Sequence, residues 1–119
     1  MDKIEFIEEF KKRTKKLSVS IILFYDGMKK TDVIRIVGKQ LIRSATSTAA
    51  NYRAACIARS NNEFYAKMSI VTEEADETLF WLEVMEEANL APVTVIHPLK
   101  AEALEISKVV SSARKNTNR

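Results

Sequence analysis

The chain has 119 residues with only two glycines and two prolines, and helix-favouring alanine, glutamate, lysine and leucine are plentiful. This length predicts one domain, and this composition favours long helices over strands. The single cysteine, Cys56, excludes an internal disulfide, and no apolar run approaches the roughly 20 residues of a membrane span. Because Met1 leads directly into alternating charge without a signal-peptide pattern, we expect a cytoplasmic protein with no membrane association.

The net charge of +3 is too small to indicate nucleic-acid binding by itself, but its distribution is uneven. Residues 27–60 carry seven basic and one acidic side chain, whereas residues 61–91 carry one basic and eight acidic side chains. Two neighbouring segments therefore have opposite signs. Either they attract each other, in the fold or across a subunit contact, or the basic segment also meets phosphate.

Apolar side chains recur at three- and four-residue spacing over four segments, which predicts four amphipathic helices. The helices are expected at about residues 3–26, 32–58, 61–89 and 95–114. Because the connections between them are short, we predict an all-α, up-down-up-down four-helix bundle that forms a single domain over residues 1–119.

The first helix has a charged half and an apolar half. Glu8 with Lys12 and Glu9 with Arg13 lie one turn apart, so residues 11–16 are interpreted as a solvated face. Residues 21–25 are apolar on all sides of the helix, more than one core-facing stripe requires. We therefore predict that another subunit covers part of this segment, through contacts made by Ile22, Leu23 and Tyr25.

The second helix is predicted to begin after an N-cap at Thr31 and to contain a run of small residues from Ser44 to Ala50. Small side chains let neighbouring helices approach closely, which also explains why Gly38 is tolerated inside a helix. Polar side chains along the flank of this segment predict a structural or interface network, with Gln40, Arg43, Ser47 and Asn51 on the helix and Glu77 on the next.

The third helix is predicted to begin with a capping box at Ser60 and Glu63. An antiparallel pairing with the second helix brings Arg43 to the level of Glu77, and this pair could form within one subunit or between two. Trp81 lies on a flank outside the main apolar stripe, and we interpret it as an interface anchor.

The fourth helix has two possible starts because of Pro98. Either Thr94 is the N-cap and Pro98 lies in the first turn, or His97 is the N-cap and Pro98 is the first helical residue. The sequence does not distinguish them.

No set of residues with catalytic spacing is present. The carboxylates of the third helix lack the Glu-x-x-His motifs of a di-metal bundle, since His97 is the only histidine. Cys56 is interpreted as a small apolar residue, and no glycine-rich phosphate loop or zinc spacing occurs. We expect a protein that is not an enzyme and has no metal, cofactor or small-molecule substrate.

The second and third helices carry a combined signature: Gly-Lys-Gln-Leu at 38–41, Arg-Ser-Ala-Thr-Ser at 43–47, Asn-Tyr-Arg at 51–53, Phe64, Glu-Ala at 74–75, Glu-Thr at 77–78 and Trp-Leu at 81–82. It resembles the bacterial four-helix-bundle proteins encoded in intervening sequences of 23S rRNA genes, which are often labelled ribosomal proteins. That family is similar to the accessory variability protein of diversity-generating retroelements. The resemblance implies a homopentamer and a nucleic-acid or reverse-transcriptase-type ribonucleoprotein partner.

Two functions from different classes follow. One is an RNA- or ribonucleoprotein-associated assembly factor that contacts the phosphates of structured RNA through Arg35, Lys39 and Arg53, which share one side of the second helix. The other is a homo-oligomeric protein-interaction scaffold that does not bind nucleic acid.

Overall fold

The computed structural model describes residues 1–116 and contains four α-helices: α1 Lys3–Asp26, α2 Asp32–Ala55, α3 Asn61–Glu87 and α4 Val93–Lys115. Three connections of five residues join them. Five residues reach at most about 18 Å, whereas a helix of this length spans about 36 Å, so consecutive helices run antiparallel. Each helix packs against the next, α1 also packs against α4, and no strand occurs in residues 1–116. The predicted all-α four-helix bundle is confirmed.

Two N-caps lie where the sequence predicts them. The Thr31 hydroxyl accepts a hydrogen bond from the Ile34 N–H at 3.2 Å, and the Ser60 hydroxyl accepts one from the Glu63 N–H at 3.1 Å. The Glu63 carboxylate completes the capping box by accepting from the Arg59 N–H at 3.3 Å, one residue before the expected partner. Local side-chain chemistry therefore sets where α2 and α3 begin.

Helices α2 and α3 end earlier than predicted, at Ala55 and Glu87 instead of residues 58 and 89. After α3, Asn89 adopts a left-handed conformation with φ of 54°. The Leu90 N–H then donates to the Met85 carbonyl at 2.9 Å, and the Asn89 N–H donates to the Glu86 carbonyl at 3.1 Å. These two bonds form a Schellman motif, which terminates the helix because they use its last free carbonyls.

Helix α4 begins at Val93, so neither predicted start is correct. Pro92 is the N-cap residue, and its carbonyl accepts from the N–H groups of Val95 and Ile96 at 3.0 and 3.1 Å. Pro98 is the sixth helical residue and therefore lies beyond the first turn, where it removes one backbone hydrogen bond. Ile96 is fully buried in the core, and this burial favours starting the helix ahead of the proline.

The core is built from large apolar side chains on all four helices, but most of the side chains in one central layer are small. A cavity of about 10 Å³ lies in this layer, and its lining consists of Thr14, Leu17, Ala45, Thr48, Ala75, Thr78, Ala103 and Ile106. Buried hydroxyls beside it are satisfied: Ser18 donates to the Ala45 carbonyl at 3.0 Å, and Thr78 donates to the Ser44 hydroxyl at 3.1 Å. Small side chains and internal hydrogen bonds thus let α1 and α3 approach α2 closely.

Gly38 allows a second close approach between α1 and α2. A Cβ atom at this position would lie 2.1 Å from Cε1 of Tyr25, because the tyrosine ring covers the glycine. The Lys30 ammonium lies 4.5 Å from the centre of the same ring. The group that approaches Gly38 is therefore an aromatic side chain of the preceding helix.

None of the four helices combines the length and the apolar character needed to cross a membrane.

Candidate nucleic-acid interface

Helix α2 places Arg35, Lys39 and Arg53 on its solvent-exposed side. The Arg35 guanidinium forms an ion pair with Asp32 of its own helix at 3.4 Å, and both side chains are well exposed. Within residues 1–116, Lys39 and Arg53 form no ion pair. The structure therefore leaves the charge of this stripe available at the surface of the subunit.

Arg43, by contrast, is directed toward α3 and pairs there within the same subunit. Its guanidinium donates to Glu74 at 3.0 Å and to Glu77, and its Nε donates to Gln40 at 3.3 Å. The indole N–H of Trp81 donates to the same Glu77 carboxylate at 3.0 Å. In the single subunit, Arg43 therefore contacts Glu77 of its own chain.

The pKa of Glu77 is lowered by the Trp81 indole hydrogen bond and then by the Arg43 guanidinium. At pH values above 4.5, the ordinary pKa of this group, the ionised form of Glu77 therefore stabilises the folded state. This contribution is lost as the pH falls through the lower folded-state pKa.

We expect Glu77→Gln to lower the free energy of unfolding at pH 7 by about 0.2–1 kcal/mol, because the pair is partly screened by solvent. As the pH falls below 4.5 the difference from the parent should shrink, because Glu77 becomes protonated in the unfolded chain and the advantage of its ionised form in the folded state is lost. Urea unfolding at pH 7 and at a pH below 4.5 measures this effect. Glu73→Gln is the matched control, because Glu73 is exposed on the same helix; an equal effect of both variants at pH 7 would show that Arg43 and Trp81 contribute nothing through Glu77.

Ser47 and Asn51 form a separate polar pair on α2. The Asn51 amide donates to the Ser47 carbonyl at 2.9 Å and to its hydroxyl at 3.0 Å. Among residues 1–116, neither side chain is hydrogen-bonded to the cluster around Arg43. The polar flank predicted as one network therefore consists of two pieces, of which only the Arg43 cluster joins two helices.

A groove between α1 and α2 brings together basic side chains from both helices. Its lining comprises Glu8, Lys11, Lys12, Lys15 and Ser18 from α1 with Thr46, Ala49, Ala50 and Arg53 from α2. Four of these side chains are basic and one is acidic. We call this feature the α1–α2 groove.

The α1 lysines were interpreted from the sequence as a solvated face, and the expected ion pairs differ from those observed. Lys11 contacts Glu8 at 3.0 Å and Lys12 contacts Glu9 at 3.6 Å, each three residues apart. Arg13 instead binds Glu102 of α4 with two hydrogen bonds of 2.6 and 2.7 Å. The signal in the sequence that predicts this groove is an antiparallel pairing of α1 with α2, which sets the α1 lysines beside the small residues of α2.

The apolar residues predicted to contact another subunit fall into two groups. Ile22 and Leu23 are 40% and 66% exposed, and Val19 beside them is 48% exposed. Tyr25 and Trp81 are half-buried: the first covers Gly38, and the second packs against the core. Only the first group leaves a large apolar area uncovered on the subunit.

Neither Cys56 nor His97 is among the residues that line the α1–α2 groove. Burial raises the pKa of the Cys56 thiol, and burial likewise raises the pKa of Tyr52. His97 is exposed and contacts Glu86 at 3.2 Å. Within residues 1–116, no group of three or more histidine, cysteine, aspartate or glutamate side chains is arranged to hold a metal ion.

Fold and groove together define a small helical-bundle protein with a basic face. The family model of the 23S rRNA-intervening sequence protein matches residues 8–112, and the chain belongs to this family. A Bacteroides thetaiotaomicron protein of unknown function from the S23 ribosomal protein family, with a crystal structure at 1.70 Å resolution, is similar with a TM-score of 0.79 and 29% sequence identity. The similarity covers 90% of this chain and 99% of that one. No curated protein sequence matches the chain.

Proposed function

We propose that this protein is a non-enzymatic, homo-oligomeric assembly factor that associates with structured RNA through Arg35, Lys39 and Arg53. The observation that carries the proposal is that the basic side chains on α2 differ in their ion pairing. Arg43 is paired with acidic groups of α3, whereas Lys39 and Arg53 have no acidic partner in residues 1–116. Basic side chains without acidic partners are available to neutralise phosphates.

The family description supports testing RNA first. It connects these proteins with intervening sequences of 23S rRNA. A reverse-transcriptase-type ribonucleoprotein is a further candidate partner, implied by the family resemblance alone. The proposal includes a cytoplasmic location and excludes a metal, a cofactor and a small-molecule substrate.

Oligomerisation is proposed from the uncovered apolar side chains of α1. Ile22 and Leu23 together with Val19 expose apolar surface on one helix, and a second copy would remove it from water. A closed ring would also repeat the basic stripe, so that individually weak phosphate contacts act together. Five subunits is the number that the family resemblance implies.

Binding of the purified protein to a structured RNA should weaken steeply with salt, and the triple variant Arg35→Ala/Lys39→Ala/Arg53→Ala should reduce that dependence. Each lost phosphate contact removes about 0.7–0.9 from the slope of log affinity against log salt. Three lost contacts therefore mean that the variant's affinity should fall about 20- to 40-fold less than the parent's between about 50 and 200 mM salt. Fluorescence anisotropy measures the affinities.

The matched control removes three charges elsewhere, as Lys16→Ala/Lys108→Ala/Lys115→Ala, since these side chains are exposed and outside the groove lining. The RNA affinity of this control variant should keep most of the parent's salt dependence. If the stripe variant binds as tightly as the parent at every salt concentration, the stripe is not the RNA site.

A second candidate, the protein-interaction scaffold, is favoured by the opposite charges of α2 and α3. Exposed carboxylates such as Glu73, Asp76 and Glu87 could pair with the basic stripe of a neighbouring copy. Light scattering of the same stripe variant distinguishes the two functions. An intact oligomer with impaired RNA binding supports the RNA function, whereas dissociation into monomers supports the scaffold.

A further inference from the structure

We infer that the α1–α2 groove is the track for one backbone strand of a double-helical RNA, with Lys15 and its neighbours on α1 forming the rim opposite Arg53. This inference rests on the proposed function and extends its site to a second helix. The ligand class is double-helical RNA, and the part that enters the groove is the sugar-phosphate backbone of one strand.

The groove has a low floor because the helices beneath it are close together. Ser18 of α1 donates to the Ala45 carbonyl of α2 at 3.0 Å, so the two backbones are separated by little more than one small side chain. The remaining floor residues are Thr46, Ala49 and Ala50, which are also small. A chain of phosphates could therefore lie between the two rims without displacing large side chains.

The charges are placed on both rims. Lys11, Lys12 and Lys15 come from α1, and Arg53 comes from α2. Lys11 and Lys12 are partly neutralised by Glu8 and Glu9, whereas Lys15 and Arg53 form no ion pair within residues 1–116. The groove thus has an excess of positive charge that the subunit itself does not compensate.

The basic surface is elongated. On α2 the basic stripe adds Lys39 and Arg35, which lie about 21 and 27 Å from Arg53 along the helix axis at about 1.5 Å per residue. A single phosphate would occupy only one part of such a surface. A polyanion that follows the helix can contact all of it.

The lining favours a backbone over exposed bases. It contains no aromatic side chain, whereas proteins that bind single strands stack the bases on aromatic rings. Double-helical RNA keeps its bases stacked inside and presents phosphates and 2′-hydroxyls, which lysine, arginine, serine and threonine side chains can bind. The chemistry of the groove therefore matches the outside of an RNA helix.

Two pairs of variants test the groove while holding net charge equal. Ala50→Glu introduces a carboxylate into the groove, and Ala101→Glu introduces one between α3 and α4, on the opposite side of the bundle. Both alanines are exposed on helices, and glutamate is a good helix former, so both variants should fold. Similarly, Lys15→Ala removes a charge from the groove, whereas Lys16→Ala removes the adjacent charge outside it.

The probe is an RNA hairpin, compared with an unstructured oligouridine of the same length. At about 50 mM salt we expect Ala50→Glu to weaken hairpin binding roughly tenfold and Lys15→Ala to weaken it roughly threefold, as expected for about one phosphate contact. Ala101→Glu and Lys16→Ala should each remain within about twofold of the parent. The hairpin should bind more tightly than the oligouridine to the parent protein.

The outcomes separate this inference from the proposed function. If Ala50→Glu behaves like Ala101→Glu while the stripe variant of α2 loses binding, the groove is excluded and the proposed function stands. Equal or tighter binding of oligouridine would overturn the assignment to double-helical RNA. Dissociation of an Ala50→Glu oligomer into monomers would identify the groove as a subunit interface, and no hairpin binding by the parent would reject both.

Discussion

Ala75→Leu should lower the free energy of unfolding by about 1–3 kcal/mol, because the central layer of the bundle has no room for a larger side chain. Ala75 is 2% exposed and lines a cavity of only about 10 Å³. Other residues in this layer, such as Ala45 and Ala103, are small as well, so three extra carbon atoms can fit only if the helices move apart. Such a movement would also strain the hydrogen bond between Thr78 and Ser44.

Denaturant unfolding at a fixed protein concentration measures the effect, since association would otherwise change the apparent stability. Ala66→Leu is the matched control because Ala66 is exposed on the same helix. Leucine and alanine are both good helix formers, so the control should change stability by no more than about 0.5 kcal/mol. Equal stabilities of the two variants would show that the central layer is not tightly packed.

Gly38→Ala is expected to lower the free energy of unfolding in the parent protein but to raise it in a Tyr25→Ala variant. In the parent, the new Cβ would lie 2.1 Å from the Tyr25 ring, so the ring must leave its place and the variant should lose about 1–3 kcal/mol. In a Tyr25→Ala background the obstacle is gone. There the same substitution should stabilise the protein by up to about 1 kcal/mol, because alanine is the better helix former.

A double-mutant cycle of the four proteins measures this coupling directly. The Lys30 ammonium lies over the ring and should lose this aromatic contact in both Tyr25→Ala proteins. The cost of losing the contact therefore cancels when these two proteins are compared. If Gly38→Ala stabilises the parent as well, the ring moves aside at little cost, and the contact does not define how α1 packs on α2.

The contacts of α1 with α2 at Ser18–Ala45 and at Tyr25–Gly38 also position the basic face. The α1–α2 groove exists because small residues let α1 lie against α2, and the ring of Tyr25 packs over Gly38 near the connection between the two helices. Variants that enlarge these contacts should therefore change the spacing of Lys15 and Arg53 across the groove. Stability measurements should accompany every binding experiment for that reason.

Much of the fold could be predicted from the sequence because its signals are local. Apolar spacing defined four helices, and the N-caps at Thr31 and Ser60 depend on hydrogen bonds to residues three positions away. The small run from Ser44 to Ala50 correctly indicated close helix packing. The stripe of Arg35, Lys39 and Arg53 is likewise a consequence of helical periodicity, and these side chains are exposed in the folded subunit.

The tertiary structure decided what depends on contacts between helices. Helix α4 starts at Val93, ahead of both starts that the sequence left open, with Thr94 or His97 as the N-cap, and this start includes the buried Ile96 in the helix. The rotation of α2 against α3 directs Arg43 to Glu77 of the same subunit. The position of α1 against α2 brings Lys15 and Arg53 to the two rims of one groove. Helical spacing determines which side chains share a face of one helix, but the packing of helices determines which faces meet, and that packing depends on the whole core.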